Sequence, residues 1–400
     1  MKQKSARILF GALIAMLVVV GTAVGGALED AAAALTRGDY SVAMRILRPL
    51  ADQGNAPAQG AVGLMFENGQ GVPQDYAEAL KWYRLAADQG LAAAQYSLGS
   101  IYREGRGVPQ DDAEAVKWFR KAADQGSDFA QDELGDMYAE GRGVPRDYAE
   151  AAKWYRLPAD QGMARAQNNL GAMYAEGRGV PQDFAEAVKW YRKAADQGVA
   201  IPQSNLGAMY ADGQGVPQDD AEAAKWFRKA ADQGYAVAQY NLGLAHANGR
   251  GVSYDFTEAV KWFHKAADQG DATAQYNLGS MYYNGPTISG IWSFFDWLYG
   301  LLGKGARQDH SEAAKWFRKA ADQGYAAAQG NLGSMYYNGQ GVPQNYVQAH
   351  MWSDLAASNS ASDKEIHDNA VSARNLSASK LNPAQIAEAQ RLAAEWKPKR

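Results

Sequence analysis

The chain has 400 residues, no cysteine and a formal net charge of −4. The lack of cysteine excludes disulfides, thiol catalysis and thiolate metal sites. The nearly balanced charge favours neither nucleic acid nor an anionic surface as a partner.

Residues 1–27 are typical of a targeting segment. Three positive charges open it, at Lys2, Lys4 and Arg7. An apolar run from Ile8 to Val20 follows, and Gly25 and Ala27 suit the small-residue positions before a cleavage site. We therefore expect a signal peptide that is removed near Leu28.

An uncleaved membrane anchor is the alternative for this segment. The 17 apolar or small residues from Ile8 to Val24 are at the lower end of the length that spans a bilayer. Both possibilities export the rest of the chain. No cysteine follows the run, so a lipoprotein anchor is excluded.

Residues 28–54 predict a capping pair of helices. The pair breaks at Gly38 and Asp39, and its second helix ends in Ala-Asp-Gln-Gly, as later helices do. It lacks the tryptophan and the glycine-valine loop of the units that follow. An atypical terminal unit is what a repeat array needs to close its end.

A tryptophan recurs every 36 residues through most of the remaining chain. The regular positions are Trp82, Trp118, Trp154, Trp190, Trp226 and Trp262. Trp316 then comes after 54 residues and Trp352 after another 36, so one unit carries 18 extra residues. Self-similarity at this period predicts an array of helix pairs.

Residues 92–126 show how one unit divides into two helices, A and B. In helix A, Leu98 and Ile101 follow helical spacing, and Gly105 ends the helix. In helix B, Asp111 and Glu114 predict a capping box, in which each side chain bonds the backbone amide of the other residue.

A glycine also stands inside helix A of every unit. Interior glycine costs roughly 1 kcal/mol relative to alanine, so its recurrence predicts a close approach by a neighbouring helix. We expect this contact between successive helix pairs. The positions are Gly63, Gly99, Gly135, Gly171, Gly207, Gly243, Gly279 and Gly333.

The full pattern, A-x-x-x-L-G-x-x-Y-x-x-G-x-G-V-x-x-D-x-x-x-A-x-x-W-x-x-x-A-A-x-x-G, resembles the Sel1-like repeats, relatives of the tetratricopeptide repeat. The resemblance covers residues 55–360 in about eight units. It implies an all-α, right-handed superhelical solenoid of antiparallel helix pairs, with the A helices lining the concave side, and an adaptor role. With the targeting segment, it implies an exported bacterial member that is periplasmic or secreted, or is anchored in the inner membrane with periplasmic repeats.

The A helices also vary in a way that predicts a partner-binding groove. Asparagines recur at one position, Asn169, Asn205, Asn241, Asn277 and Asn331, beside Tyr240, Tyr276, Tyr283 and Tyr337. Asparagine amides can donate to and accept from a peptide backbone, and tyrosines give rigid contact area. Alternatively, the asparagines bond neighbouring helices and the tyrosines pack between units. Earlier units carry a predicted acidic patch, Asp128, Asp132, Glu133 and Asp136.

Residues 286–307 replace the short loop between helices A and B of the longer unit. Their aromatic residues are Trp292, Phe294, Phe295, Trp297 and Tyr299. A helix from Ile288 to Leu302 would be about 22 Å long, too short for a bilayer core of about 30 Å. Three alternatives remain for this apolar surface: burial on the array, a place on the membrane surface, or contact with a partner protein.

Residues 361–400 predict a C-terminal cap. Asn382 and Pro383 begin a last helix that runs to Trp396. The basic residues from Lys397 to Arg400 predict a frayed, solvated tail.

The search for chemistry predicts no catalytic residue, metal or cofactor. The five histidines have no metal-ligand spacing. Ser377 and Lys380 form an S-x-x-K motif, but no S-D-N or K-T-G accompanies it. We expect a non-enzymatic scaffold that binds protein or peptide and takes neither nucleic acid nor a small-molecule substrate. A membrane-surface regulator or assembly factor held by residues 286–307 is the alternative, and a β-lactam or cell-wall hydrolase is the remote one.

Overall fold

The computed structural model describes residues 26–285, 308–360 and 362–399 of the chain. These residues form 20 α-helices, and no strand occurs among them, so the all-α prediction is confirmed. They divide into two compact units, one ending at Ala194 and the other starting at Ala195.

The first unit contains nine complete helices and most of a tenth. The helices are α1 (Ala27–Arg37), α2 (Tyr40–Asp52), α3 (Ala56–Asn68), α4 (Tyr76–Asp88), α5 (Ala92–Glu104), α6 (Asp112–Asp124), α7 (Asp128–Glu140), α8 (Tyr148–Asp160), α9 (Ala164–Glu176) and α10 (Phe184–Asp196), whose last two residues fall in the second unit.

The second unit contains ten helices. They are α11 (Ala200–Asp212), α12 (Asp220–Asp232), α13 (Ala236–Asn248), α14 (Phe256–Asp268), α15 (Ala272–Asn284), α16 (His310–Asp322), α17 (Ala326–Asn338), α18 (Tyr346–Asn359), α19 (Lys364–Ala378) and α20 (Pro383–Glu395). Odd-numbered helices from α3 to α17 are the A helices of the eight predicted pairs, and each packs against the B helix that follows it.

Each B helix from α4 to α16 begins after an aspartate, and α6 shows how this residue caps it. Asp111 Oδ1 accepts a hydrogen bond of 2.9 Å from the backbone amide of Glu114, as predicted. The prediction of a return bond between the Glu114 side chain and the Asp111 backbone amide is wrong. The Glu114 carboxylate instead accepts from Lys117 Nζ at 2.9 Å and from Trp118 Nε1 at 3.0 Å, because both donors lie one turn further along the same face.

The interior glycine of helix A marks a contact within the pair. A Cβ added at Gly99 of α5 would lie 2.5 Å from Cδ1 of Phe119 on α6. The same close approach joins Gly63 to Tyr83, Gly135 to Tyr155, Gly171 to Tyr191, Gly207 to Phe227, Gly243 to Phe263 and Gly279 to Phe317. The expected contact between successive pairs is therefore wrong, since the missing side chain makes room for a ring of the partner helix.

Successive pairs within each unit are joined by an arginine stacked on the recurring tryptophan. In the first unit, the guanidinium of Arg84 lies 5.3 Å from the ring centroid of Trp118, one pair further on, and Arg84 Nη2 donates to Tyr102 Oη at 2.7 Å. In the second unit, Arg228 stacks on Trp262 at 5.1 Å. Each such stack contributes about 0.5–1 kcal/mol at a partly exposed site.

Buried glutamines at the fourth position of the A helices connect the helices within a pair and also bond the B helix of the preceding pair, which sequence reasoning missed. Gln95 Nε2 donates to Ala87 O at 3.1 Å, and its Oε1 accepts from Gln125 Nε2 at 2.7 Å. The equivalent bonds between side chains are Gln89 to Gln59, Gln233 to Gln203, Gln269 to Gln239, Gln323 to Gln275 and Asn359 to Gln329. Each carboxamide is thereby satisfied although it is buried.

The C-terminal helices close the last pair of the second unit. Trp396 packs edge-on against Trp352, with ring centroids 6.4 Å apart. The backbone amide of Lys399 donates to Asp322 O at 2.7 Å, and its Nζ bonds the Asp322 carboxylate. The prediction of a frayed tail is therefore wrong at Lys399, because the end of α16 offers it acceptors, while its side chain remains exposed as predicted.

Candidate functional site

Four of the predicted asparagines form a row on the A helices of the second unit. Asn205, Asn241, Asn277 and Asn331 are each the sixth residue of their helix, and all four side chains are half-buried. Asn277 Nδ2 donates to Tyr240 Oη on the preceding A helix at 3.3 Å. Asn241 makes no hydrogen bond to another residue in the described part of the chain. The row thus contains both a bond between helices and a free carboxamide.

The predicted tyrosines divide into two groups. Tyr240 packs on Phe263 with ring centroids 5.8 Å apart, and Tyr276 lies 5.1 Å from Tyr325 and 5.7 Å from Phe317, so both rings border the asparagine row. Burial raises the pKa of Tyr240 above its ordinary value.

Tyr283 and Tyr337 form the second group, near the ends of their A helices. Tyr283 Oη donates to Gln340 Oε1 at 2.9 Å, and the Tyr283 ring packs 4.8 Å from His310. Tyr337 packs 5.3 Å from Tyr346. These two tyrosines lie about two turns beyond the row along α15 and α17 and pack on B helices.

Asn169 lies in the first unit, next to the residues of the predicted acidic patch. Its Nδ2 is 3.3 Å from Asp136 Oδ1, which also accepts from Tyr155 Oη at 2.6 Å. Asp132 and Glu133 are only 3% and 8% exposed. The expectation of an open acidic patch is therefore wrong at these two positions, where the carboxylates lie inside the helix packing.

Two arginines neutralise these carboxylates from both sides of α7. Arg103 of α5 pairs with Glu133, and Arg165 of α9 pairs with Asp132 and, at 3.0 Å, with Asp136. Charges this deeply buried persist only when they are paired. We call these five residues the ionic cluster. Sequence reasoning did not single out either arginine, because each lies on a different helix pair from its partners.

Asp132 has an incomplete set of partners within the ionic cluster. Its Oδ1 is buried and accepts no hydrogen bond from any described residue. Burial raises the pKa of its carboxyl to about 6, although Arg165 acts to lower it.

The hydrogen bond between glutamines is also absent from the described contacts of the pair α7 and α8. Gln131 Oε1 lacks a partner, and the carboxamide of Gln161, oriented to donate, lies 2.6 Å from Asp128 Oδ1 instead.

A cavity of about 230 Å³ opens beside the asparagine row in the second unit. Asn277, Ser280 and Met281 of α15 line one side, and Leu244 of α13 and Phe263 of α14 line the others. None of the described residues around it carries a charge. We call it the α13–α15 cavity. Sequence reasoning did not find it, because the period of the repeat does not show which side chains of the successive helices α13, α14 and α15 meet.

Gly285 borders the cavity, and the described chain continues at Gln308. Gln308 Nε2 donates to Tyr283 O at 3.0 Å, and the Asp309 amide donates to Tyr282 O at 2.8 Å. An uninterrupted pair makes the same two bonds with Gln74 and Asp75. The predicted contact residues of the insertion lie outside the described residues; they are Trp292, Phe294, Phe295, Trp297 and Tyr299.

The motif that suggested hydrolysis has no access to a substrate. Ser377 is fully buried in α19, and its Oγ donates to Arg374 O at 2.8 Å. Within the described ranges, no three acidic or histidine side chains are grouped to hold a metal ion. Nor does any helix there combine the length and apolar character needed to cross a membrane.

Comparison with known proteins identifies the repeats. The Sel1 repeat model matches nine segments, 56–91, 92–127, 128–163, 164–199, 203–235, 236–271, 272–290, 298–325 and 326–360. The seventh and eighth segments together contain the interrupted pair α15 and α16. No curated protein matches the chain.

Two solved structures with similar sequences cover most of the chain. A Sel1 repeat protein from Oxalobacter formigenes is 36% identical with a TM-score of 0.61, and the match covers 81% of this chain and 88% of that one. A protective antigen present in uropathogenic Escherichia coli strains is 38% identical with a TM-score of 0.49, covering 89% and 87%. The chain belongs to the Sel1 repeat family.

Proposed function

We propose that this chain is a non-enzymatic scaffold of the bacterial envelope that holds an uncharged segment of a partner protein on the A helices of its second unit. Repeats of the Sel1 and tetratricopeptide type typically serve as scaffolds for protein interactions. The N-terminal sequence, with its basic start, apolar run and small residues, supports export of the repeats.

One observation carries the choice of surface: the A helices of the second unit present no charge along the asparagine row. The fifth, sixth and ninth residues of α11, α13, α15 and α17 are Ser204, Asn205, Ala208, Tyr240, Asn241, Leu244, Tyr276, Asn277, Ser280, Gly330, Asn331 and Ser334. In α7 of the first unit, the same positions hold the three carboxylates of the ionic cluster, which already have partners.

This neutral surface suits an extended peptide backbone. A carboxamide offers both a donor and an acceptor, so Asn241 and its equivalents can pair with backbone groups of either kind. Tyrosine rings add contact area with little loss of side-chain freedom. Affinity would come from a rigid array of modest contacts, since a preorganised surface loses little entropy on binding.

The capture of an envelope partner tests this proposal. The immobilised protein is incubated with envelope extract beside Asn241→Asp, which keeps the side-chain shape and adds a charge within the row. We expect the variant to lose at least about nine-tenths of the captured partner, because a desolvated and unpaired charge costs more than 1.4 kcal/mol.

The matched control is Asn375→Asp on the exposed face of α19, away from the row. This control should capture as much partner as the unchanged protein, and both variants should keep its melting temperature. Equal capture by all three proteins would contradict the assignment of the surface.

A further inference from the structure

We propose that the α13–α15 cavity is the anchor site for one large, uncharged apolar side chain of the partner segment. The inference rests on the proposed function and names the chemistry that the surface would select. It places leucine, methionine or phenylalanine of an extended peptide in the cavity and the peptide backbone along its rim.

The cavity lies where the interrupted pair departs from the repeat in sequence. In other pairs, the second glycine of the G-x-G loop packs on the first turn of the preceding B helix. A Cβ added at Gly107 would lie 2.7 Å from Tyr76 Cβ, and a Cβ added at Gly341 would lie 2.0 Å from His310 O. The equivalent first-turn residue here is Phe256, which lines the cavity. Residues 286–307 stand in the sequence where other pairs have that loop.

The lining selects for an apolar group. Leu244, Phe263 and Met281 form the apolar part of the lining together with Phe256. A charged group transferred there would lose water without gaining a partner of opposite charge. The volume of about 230 Å³ is below the range of about 300–1,000 Å³ that is usual for drug-sized ligands. It therefore fits a single side chain rather than a whole small molecule. Flexible Met281 can adapt to the shape of that side chain.

The rim offers hydrogen bonds to a peptide backbone. Asn248 and Asn284 are the last residues of α13 and α15, and both are exposed at the cavity. Neither carboxamide bonds another residue in the described ranges. Asn277 Nδ2 is directed at Tyr240 Oη, which joins the cavity to the asparagine row. An anchored segment would thus continue onto the surface proposed above.

Tyr254 is a further departure from the repeat at this site. At the same position, several other pairs have a glutamine that donates to a carbonyl of helix A, as Gln218 does to Ala211 O at 2.9 Å. Here Tyr254 stands in place of the glutamine. It is 38% exposed and lines the cavity. The exchange adds an aromatic wall beside Phe256, where an apolar side chain would contact it.

Methyl NMR of the purified protein with labelled methionines tests the inference directly. The probes are N-acetyl-leucinamide, N-acetyl-phenylalaninamide and N-acetyl-aspartamide, and the readout is the Met281 methyl resonance, assigned by its loss in Met281→Leu. We expect saturable shifts with the first two probes and binding at least about tenfold weaker for the charged one, since its carboxylate must be desolvated.

Two leucine substitutions provide the matched pair. Ser280→Leu places a larger apolar side chain at the cavity. The fold accepts leucine at this ninth helix position, because Leu244 occupies it in α13. The substitution should weaken probe binding at least about tenfold. Ser372→Leu makes the same change at an exposed residue of α19, outside both the asparagine row and the cavity lining, and should leave binding unchanged. Equal binding by both variants would overturn the inference.

The remaining outcomes separate this inference from the proposed function. If the apolar probes bind only after residues 286–307 are replaced by a glycine-serine linker, the chain itself occupies the cavity and the inference is wrong. If Ser280→Leu captures the envelope partner as well as Ser372→Leu does, the inference also fails, while loss of capture in Asn241→Asp would still support the scaffold. Probe binding combined with normal capture by Asn241→Asp would instead contradict the proposed surface.

Discussion

Asp132 shows how one residue can make the stability of the first unit depend on pH. Burial raises the pKa of its carboxyl from 3.8 to about 6. Between these values the folded chain binds a proton that the unfolded chain releases, so the free energy of unfolding falls as pH rises from about 4 to about 6. The full effect of this shift is about 3 kcal/mol, because one pKa unit corresponds to about 1.4 kcal/mol.

Urea unfolding at pH 4.5 and pH 7.5 checks this prediction. The unchanged protein should lose stability between the two values relative to Asp132→Asn, whose carboxamide does not titrate. The variant should therefore show the smaller fall. An equal change in both proteins would contradict the raised pKa.

At the residue scale, sequence predicted contacts between near neighbours better than contacts across pairs. Asp111 and the Glu114 amide are three residues apart, so helix geometry alone brings them together. Asp132 and Arg165 are 33 residues apart on different pairs, and nothing in their local sequence indicates that they meet. The buried ionic cluster therefore looked like an open acidic patch.

The packing of one helix against its partner depends on the interior glycine. Alanine is intrinsically better than glycine in a helix by about 1 kcal/mol. At Gly99, however, the added methyl would lie 2.5 Å from the buried Phe119 ring, and overpacking costs about 1–3 kcal/mol. We predict that Gly99→Ala destabilises the first unit, as measured by thermal unfolding.

Gly330 supplies the control at the element scale. It also lies inside an A helix, α17, but an added Cβ would meet only Ala356 Cβ, at the ordinary distance of 3.9 Å. Gly330→Ala should therefore stabilise the second unit by up to about 1 kcal/mol. Destabilisation by both substitutions to the same extent would contradict a specific role for the Phe119 ring.

Periodicity explains what sequence could and could not predict about the elements. The recurring tryptophans and aspartate caps located the helix pairs, because both features repeat in sequence. The period of a repeated contact does not show which helix makes it. The close approach at Gly99 was therefore assigned to the next helix pair, although it is made by the B helix of the same pair. The sequence departs from the period at Tyr254, which lines the α13–α15 cavity, and repeat analysis does not show where such a departure lies in space.

At the scale of the whole molecule, charge is distributed differently on the A helices of the two units. The ionic cluster of the first unit uses its carboxylates and arginines internally. The second unit instead keeps a neutral row beside a neutral cavity. Trp396 and Lys399 contact its last pairs, while Asn241 in the row makes no hydrogen bond to another described residue. The central claim is that this face binds the partner.

Hydrogen–deuterium exchange of the complex with the captured partner tests that claim most directly. The account predicts slower amide exchange on binding in α13 and α15, with smaller effects in α11 and α17, because a docked segment would restrain these helices. Helices α5, α7 and α9 should exchange as in the free protein. Protection confined to the first unit, or to the B helices of the second, would contradict the account.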